Sequence, residues 1–251
     1  MITDMHYADK DKGGTRYYRE TLTKIDEAIA EYKEIKPDFL IELGDIVDAA
    51  KTVDAEMQYL VTINDKLKQI TDNRHYVLGN HCVYTLTKEE FLSEVGKEHS
   101  YYSFDNNGWH FVILDCCFRS DGVPYGRNNY DWTDPNIPAE ELDWLKADLA
   151  ATKNPTLVFT HQRLDVENHY GAKNSPAVRK VLEDSGKVQA VFQGHSHENE
   201  HTEINGIHYT VLAAMIEGSG VENNSYSNLE IYKNGTLKLN GFRQQENYSW
   251  S

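Results

Sequence analysis

Seven side chains able to bind a metal stand just beyond apolar runs: Asp4, His6, Asp45, Asn80, His161, His195 and His197. Two strings carry most of this signal. Gly79-Asn80-His81 follows Tyr76-Val77-Leu78, and Gly194-His195-Ser196-His197 follows Ala190-Val191-Phe192. In the same way Phe39-Leu40-Ile41-Glu42-Leu43 runs into Gly44-Asp45, Thr156-Leu157-Val158-Phe159-Thr160 into His161, and Met1-Ile2-Thr3 into Asp4-Met5-His6. Glycine at a strand end lets the chain turn sharply, so the residues after it project over the sheet edge, where open α/β sheets bind ligands. The set holds two carboxylates, one amide oxygen and four imidazoles. That is too many donors for one ion and right for two, if a carboxylate bridges them. Mixed oxygen and nitrogen ligands suit Mn²⁺, Fe or Zn²⁺ and argue against a thiolate site. Two such ions roughly 3.5–4 Å apart hold the attacking and leaving oxygens of an in-line displacement, and they lower the pKa of a bridging water. Phosphoryl transfer has these requirements, because positioning and charge set its barrier.

The elements that must hold these residues are legible from periodicity. Tyr18, Leu22, Ile25, Ile29 and Tyr32 fall at helical spacing with Pro37 beyond, which predicts a helix after the first motif. A second helix is predicted over residues 54–70, with Met57, Leu60, Leu67 and Ile70 inward. Thr87 with Glu90 reads as a capping box opening a short helix. Asn107-Gly108 is the turn of a hairpin joining residues 101–104 to 109–114. Leu142, Leu145 and Leu149 mark a helix after Pro138, and residues 178–182 mark another. Beyond His197 strands dominate, with Asn205-Gly206 and Asn234-Gly235 as hairpin turns. Strand–helix alternation followed by a strand-rich end fits an α/β chain of two facing sheets with helices outside. No Gly/Ser/Pro-rich linker, repeat or low-complexity tract divides it, so one domain over residues 1–251 is expected.

Taken in order, Asp-x-His, Gly-Asp-x-x-Asp, Gly-Asn-His, a lone histidine after a strand and Gly-His-x-His resemble the calcineurin-like metallophosphoesterases, over Asp4 to His197. The resemblance implies a four-layer α/β/β/α sandwich with two mixed sheets. It implies one metal held by Asp4, His6, Asp45 and His197, and a second held by Asp45, Asn80, His161 and His195, with Asp45 bridging. His81 is then no ligand, but stabilises or protonates the leaving oxygen. Tyr7-Ala8-Asp9, Gly14-Thr15-Arg16-Tyr17-Tyr18-Arg19, Leu43-Gly44-Asp45-Ile46-Val47-Asp48 and Ala214-Met215-Ile216-Glu217-Gly218 look like the manganese-dependent ADP-ribose/CDP-alcohol diphosphatase branch. The chain departs from that branch at His6, where glutamine is frequent, and from many family members at Cys82, where an acidic residue is frequent. The implied activity is a dinuclear-metal phosphohydrolase acting on phosphodiester or diphosphate bonds of small nucleotide-like molecules, through in-line attack by a metal-bridging hydroxide. A phosphomonoesterase is the alternative within the class, and a non-catalytic protein-binding scaffold the alternative outside it.

Other polar residues carry weaker signals. Asp48 after its strand reads as a helix cap or as a partner behind a ligand. Asp115 reads as a cap or a substrate contact. Arg16 and Arg19 offer a phosphate clamp, although a solvated or locally paired arginine is the plainer reading. Tyr84, Arg119, Tyr125 and Arg127 sit in or beside loops expected to overhang the metals, and arginine forks match phosphate. Residues 119–136 form a long polar segment whose Tyr125, Tyr130 and Trp132 are candidates to stack on a base. His75, His99, His110, His169, His201 and His208 lack the strand-then-turn context and read as ordinary surface or core histidines.

Composition narrows the partners. Lys plus Arg is 25 and Asp plus Glu is 40, for a net charge of −15 in 251 residues. That argues against a nucleic-acid surface or an anionic membrane surface as partner. Anionic small substrates stay compatible, because bound metals set the local field. Cys82, Cys116 and Cys117 make neither a disulfide framework nor a zinc motif. No apolar run approaches the ~20 residues of a membrane span, and no signal peptide precedes Asp4. Only three residues precede Asp4, so a short, trimmed first strand is expected to hold Asp4 and His6 loosely and to weaken the first metal. Compartment and oligomeric state are not legible.

Overall fold

The computed structural model describes residues 1–129 and 131–251. After a 3₁₀ turn at Tyr18–Glu20 come α1 (Thr21–Ile35), β1 (Leu40–Glu42), α2 (Val53–Leu67) and β2 (Arg74–Tyr76). A 3₁₀ turn at Asn80–Val83 then leads to α3 (Lys88–Val95), β3 (Tyr102–Asn106), β4 (Trp109–Ile113), α4 (Ala139–Ala151) and β5 (Thr156–Phe159). Next are α5 (Ser175–Ser185), β6 (Val188–Gln193), β7 (Glu200–Ile204) and β8 (Ile207–Val211). The chain ends in β9 (Ser225–Ile231), β10 (Leu237–Arg243) and β11 (Tyr248–Trp250).

One sheet runs β3-β4-β5-β6-β8-β7, parallel from β4 through β6 to β8 and antiparallel at both edges. The other joins two pieces, β2-β1 and β9-β10-β11, across the N-terminal segment. Ile2 N–H donates to Ile41 O at 3.1 Å and Leu43 N–H to Ile2 O at 2.9 Å, while Ser227 N–H donates to Met1 O at 3.0 Å. Alternating side chains of each buried strand face opposite ways, and the packing shows it. Phe111, Ile113, Leu157, Phe159, Ala190 and Phe192 meet Ile41, Leu43, Val77, Leu237 and Leu239 between the sheets. Their neighbours Val112, Val158 and Val191 instead pack under Leu145, Leu149, Val178 and Leu182 of α4 and α5. Ile2, Leu40 and Tyr76 pack under Ile25, Ile29, Leu60, Ile63 and Phe91 of α1, α2 and α3. The order is therefore helices, sheet, sheet, helices, as the family resemblance implies.

Local signals translate directly. Thr87 and Glu90 form the capping box of α3, with Thr87 Oγ1 accepting from Glu90 N–H and Glu90 accepting from Thr87 N–H. Asn107-Gly108 and Asn205-Gly206 take the left-handed φ pairs of type I′ hairpins. Three boundaries are shorter than expected: α2 ends at Leu67, β2 ends at Tyr76, and residues 1–3 make one ladder bridge rather than a strand. The cap of α2 is Thr52, so Asp48 is not a cap. The expectation of a loosely held N-terminal segment is not met. Ile2 and Met5 are fully buried, and Asp4, His6 and Tyr7 donate to Gly44 O, Asp45 O and Ile46 O at 2.7–3.0 Å. Among the described residues no helix is long and apolar enough to cross a membrane.

His75 illustrates the inter-sheet packing. Its ring stacks on Phe104 with centroids 3.7 Å apart and meets Tyr102 Oη and Asn73 Oδ1, each at 3.1 Å. Burial, with Lys97 nearby, pushes its pKa down to about 3. The unfolded ring binds a proton near pH 6.5 and the folded one resists it. Stability from this group is therefore present above pH 6.5 and lost as pH falls toward 3, by at most about 1.4 kcal/mol per pH unit. In urea melts, the destabilisation of His75→Gln relative to wild type should shrink steadily between pH 7 and pH 4. A constant gap would show that the ring does not titrate in this way.

Candidate metal centre

Every donor lies where a strand of the two sheets ends, at the carboxyl edge shared by β1, β2, β5, β6 and the N-terminal segment. The backbone there is unusual. Asp4, His6, Asp45, His195 and His197 all have left-handed φ, between 42° and 72°. Such conformations cost a non-glycine residue on the order of 1–3 kcal/mol each and persist only where their surroundings enforce them. The motif glycines are required for close approach. A Cβ at Gly79 would lie 2.2 Å from Asp45 Oδ1 and 2.4 Å from Asp45 N. One at Gly194 would lie 2.6 Å from Asp4 Oδ2. Gly79→Ala should therefore displace Asp45 and cut turnover about 10²-fold, the scale of a ~1 Å misplacement. Thermal melts would confirm an intact fold, and wild-type kcat/KM in this variant would refute the crowding argument.

Two donor groups form. Asp4, His6 and His197 make one, with His197 Nε2 3.3 Å and His6 Nε2 3.6 Å from Asp4 Oδ1. Asp45, His161 and His195 make the other, with His161 Nε2 3.1 Å from Asp45 Oδ2. The same Asp45 Oδ2 lies 3.6 Å from His6 Nε2, so it faces both groups. Asp45 Oδ1 is occupied by the His81 N–H at 2.7 Å. Asp4 Oδ1, Asn80 Oδ1, His161 Nε2 and His195 Nε2 are buried with no hydrogen-bond partner. His161 Nε2 and Asp4 Oδ1 are within ion-pair reach of Asp45 and His197, but none of the four atoms has a well-formed hydrogen bond. Four of them from four loops, aimed into one space, fit a pair of cations. A third grouping, His6, Asp45 and His81, also has metal-binding spacing.

The outward ring nitrogens are held in place. His161 Nδ1–H donates to Leu43 O at 2.8 Å, which leaves Nε2 as the inward donor. His197 Nδ1 meets Glu217 Oε1 at 2.7 Å and His6 Nδ1 meets Asp48 Oδ2 at 3.3 Å. Partners of this kind orient metal-ligating imidazoles. Asp48 also reaches His81 Nδ1 at 3.3 Å and accepts from Lys10 Nζ at 2.8 Å, so of the two sequence readings it is the partner behind a ligand.

Charge balance follows from geometry. Burial alone would raise Asp4, but His161 and His197 draw it well below the usual carboxylate range. Asp45 is lowered against its own burial by His161 and His81. Burial opposes charge on His161, yet Asp45 and Asp4 outweigh it and raise the ring to about 9. His197 rises to about 9 through Asp4 and Glu217, again against burial. His195 falls to about 3 because burial and the neighbouring His161 both disfavour its charge. Protons on His161 and His197 thus balance carboxylates that cations would otherwise neutralise.

A cavity of about 670 Å³ opens over this centre. Beyond Asp45, Asn80, His81, His195 and His197 it is lined by Thr15, Arg16, Trp132, Tyr170, Ser196, Glu198 and Glu217. Five sequence candidates are not brought there. Asp115 is fully buried, accepting from Lys88 Nζ at 2.5 Å and from Cys117 N–H at 2.8 Å. Arg119 pairs with Asp121 at 2.5 Å, and Arg127 forks onto Glu90 and also donates to Thr85 O. Tyr125 is buried with its hydroxyl donating to Asp131 O at 2.8 Å, and Tyr84 is more than a third exposed outside the lining. Tyr130 lies outside the described residues. Of the two early arginines, Arg19 pairs locally with Asp9 and Asp11, whereas Arg16 lines the cavity with its Nε 3.8 Å from Glu217 Oε1. No local sequence signal marks Glu217 as the partner of His197 or buried Lys24 as the anchor of its loop. That lysine donates to Met215 O, Glu217 O, Gly218 O and Asn223 O at 2.7–3.2 Å and fixes the loop carrying Glu217.

Comparison with known proteins agrees with the geometry. The family model for calcineurin-like phosphoesterases matches residues 1–199. The manganese-dependent ADP-ribose/CDP-alcohol diphosphatase of Xenopus laevis is 25% identical, with 93% of this chain and 84% of the relative covered. The 3′,5′-cyclic adenosine monophosphate phosphodiesterase of Haemophilus influenzae is 25% identical, covering 85% of this chain and 73% of the relative. A dimetal phosphatase from Danio rerio shares the fold, with a TM-score of 0.87 at 21% identity over 99% of this chain and 96% of that one.

Proposed function

The chain belongs to the calcineurin-like phosphoesterase family, and from that premise we propose that it is a two-metal phosphohydrolase cleaving phosphodiester or diphosphate bonds of small nucleotide-like molecules. The observation that supports this reading is the set of four buried donor atoms without a hydrogen-bond partner, gathered around an Asp45 whose Oδ2 lies 3.1 Å from His161 Nε2 and 3.6 Å from His6 Nε2. Asp4, His6, Asp45 and His197 would hold one ion, and Asp45, Asn80, His161 and His195 the other. Manganese is the first metal to load, because the curated diphosphatase relative is manganese-dependent. Two bound ions supply Lewis-acid charge and a nucleophile at neutral pH.

The chain's own residues supply the rest. Burial works against a charged His81, but Asp45 and Asp48 outweigh it and raise its pKa. Its Nδ1 faces Asp48, so Nε2 is the atom that carries a proton to the leaving oxygen. Arg16 brings a fixed positive charge to the same cavity for phosphate oxygens.

The Mn²⁺-loaded protein should be assayed side by side on ADP-ribose, bis(p-nitrophenyl) phosphate and p-nitrophenyl phosphate. Turnover of the first two well above the third supports the reading. Turnover of the monoester alone makes it a phosphomonoesterase, and silence on all three from a fully metal-loaded protein makes it a scaffold.

A further inference from the structure

The proposed function leaves open what part of a substrate the cavity recognises beyond phosphate. We propose that Trp132 and Tyr170 form a stacking wall that takes the nucleobase of the substrate. The inference rests on the phosphohydrolase reading and deepens it.

Trp132 and Tyr170 come from two separate loops and meet beside the same metal-ligand candidate. Their ring centroids lie 5.9 Å and 5.8 Å from that of His195 and 5.9 Å from each other. His169 backs the pair, 4.3 Å from Tyr170 and 5.5 Å from Trp132. Both aromatics line the cavity over the donor groups, and Trp132 is 41% exposed there. A large apolar ring serving only to fill space would be covered. Here the exposed ring lies at the mouth of a polar cavity and adjoins a second aromatic and His195, so its face is open to a ligand there.

The wall is built rather than incidental. The Trp132 loop is fastened on both sides of the ring: Asp131 O accepts from Tyr125 Oη and from Asp134 N–H, and Asp131 Oδ1 accepts from Thr133 N–H and Oγ1, at 2.7–2.9 Å. The Tyr170 loop is held by Tyr170 N–H donating to Asn168 Oδ1 at 2.9 Å and by Arg163 N–H donating to Tyr170 O at 3.2 Å.

Charge points the same way. Among the described residues lining the cavity, Arg16 is the sole lysine or arginine, against Glu198 and Glu217. The wall therefore offers little to a chain of additional phosphates. A flat, uncharged base is a group that this lining can take without a counter-charge. Base–aromatic stacking is strong enough to register as roughly a tenfold change in affinity or more when the ring is removed.

The test uses equilibrium binding to the Mn²⁺-loaded protein, so it does not depend on turnover. Titration calorimetry compares AMP, ribose 5-phosphate and phosphocholine on wild type, Trp132→Ala and Trp132→Phe. In wild type AMP should bind at least about tenfold more tightly than ribose 5-phosphate. Trp132→Ala should close that gap without changing ribose 5-phosphate, and Trp132→Phe should retain most of it. Equal binding of AMP and ribose 5-phosphate by wild type overturns the proposal. Parallel weakening of both in Trp132→Ala also overturns it, since the ring would then only brace His195. Preference for phosphocholine overturns it in favour of a cation cage. A protein that shows the AMP preference yet turns over no phosphoester would sink the phosphohydrolase reading and leave the stacking wall standing.

Discussion

Asp45→Asn is expected to lower kcat/KM on a diester by about 10³-fold or more and to leave fewer than two metal ions per chain. The reason is the position of one oxygen. Asp45 Oδ2 lies 3.1 Å from His161 Nε2 and 3.6 Å from His6 Nε2, so it is the donor both groups share. Its other oxygen is committed to the His81 N–H. An amide keeps the shape and the backbone contact but carries no negative charge, and its NH₂ cannot serve as a ligand. Several kcal/mol of transition-state stabilisation attributed to a metal corresponds to a rate loss of that size. Elemental analysis and kinetics on the same preparation check both halves. Two tightly bound metals and near-normal turnover in this variant would remove Asp45 from the shared position.

His81→Ala should behave in the opposite way toward metal, keeping both ions while losing about 10²–10⁴-fold in turnover, the range of general acid catalysis. The spacing permits a different role, because His6, Asp45 and His81 also fall within metal-binding distance of one another. Two features favour proton transfer. His81 lines the cavity, and its Nδ1 is turned toward Asp48 at 3.3 Å. A leaving oxygen that is already stable as an anion needs little help. The loss should therefore be smaller for a p-nitrophenyl ester than for ADP-ribose. Loss of one metal in His81→Ala, or an equal rate loss for both substrates, would make His81 a ligand or a positioning residue.

The candidate metal ligands are legible because each is announced locally, by an apolar run, a turn and a donor. The apolar runs of β5 and β6 similarly make strands visible, since both faces of these strands are covered. Of the candidates in and beside the 119–136 segment, Trp132 does line the cavity, whereas others are held elsewhere. Arg119, Tyr125 and Arg127 lie in or beside a loop expected to overhang the site, yet each is consumed by a neighbour: Arg119 by Asp121 two residues on, Arg127 by Glu90, and Tyr125 by the backbone of its own loop. For Arg119 the partner was adjacent in sequence and gave a usable warning. Asp115 looked like a strand-end donor, but its pairing with Lys88 depends on how α3 packs. Tyr170, Glu217 and Lys24 act across separations that local pattern does not encode. Lys24 holds carbonyls more than 190 residues away. The left-handed backbone at five of the seven donors was invisible for the same reason, because none of them is glycine.

Electron paramagnetic resonance during titration of the metal-free protein with Mn²⁺ reads directly whether a pair of ions shares one carboxylate. Saturation is expected at two Mn²⁺ per chain, with the spectrum of an exchange-coupled pair that disappears in Asp45→Asn. Saturation at one ion, or two ions giving only the spectrum of isolated Mn²⁺, would contradict a shared carboxylate.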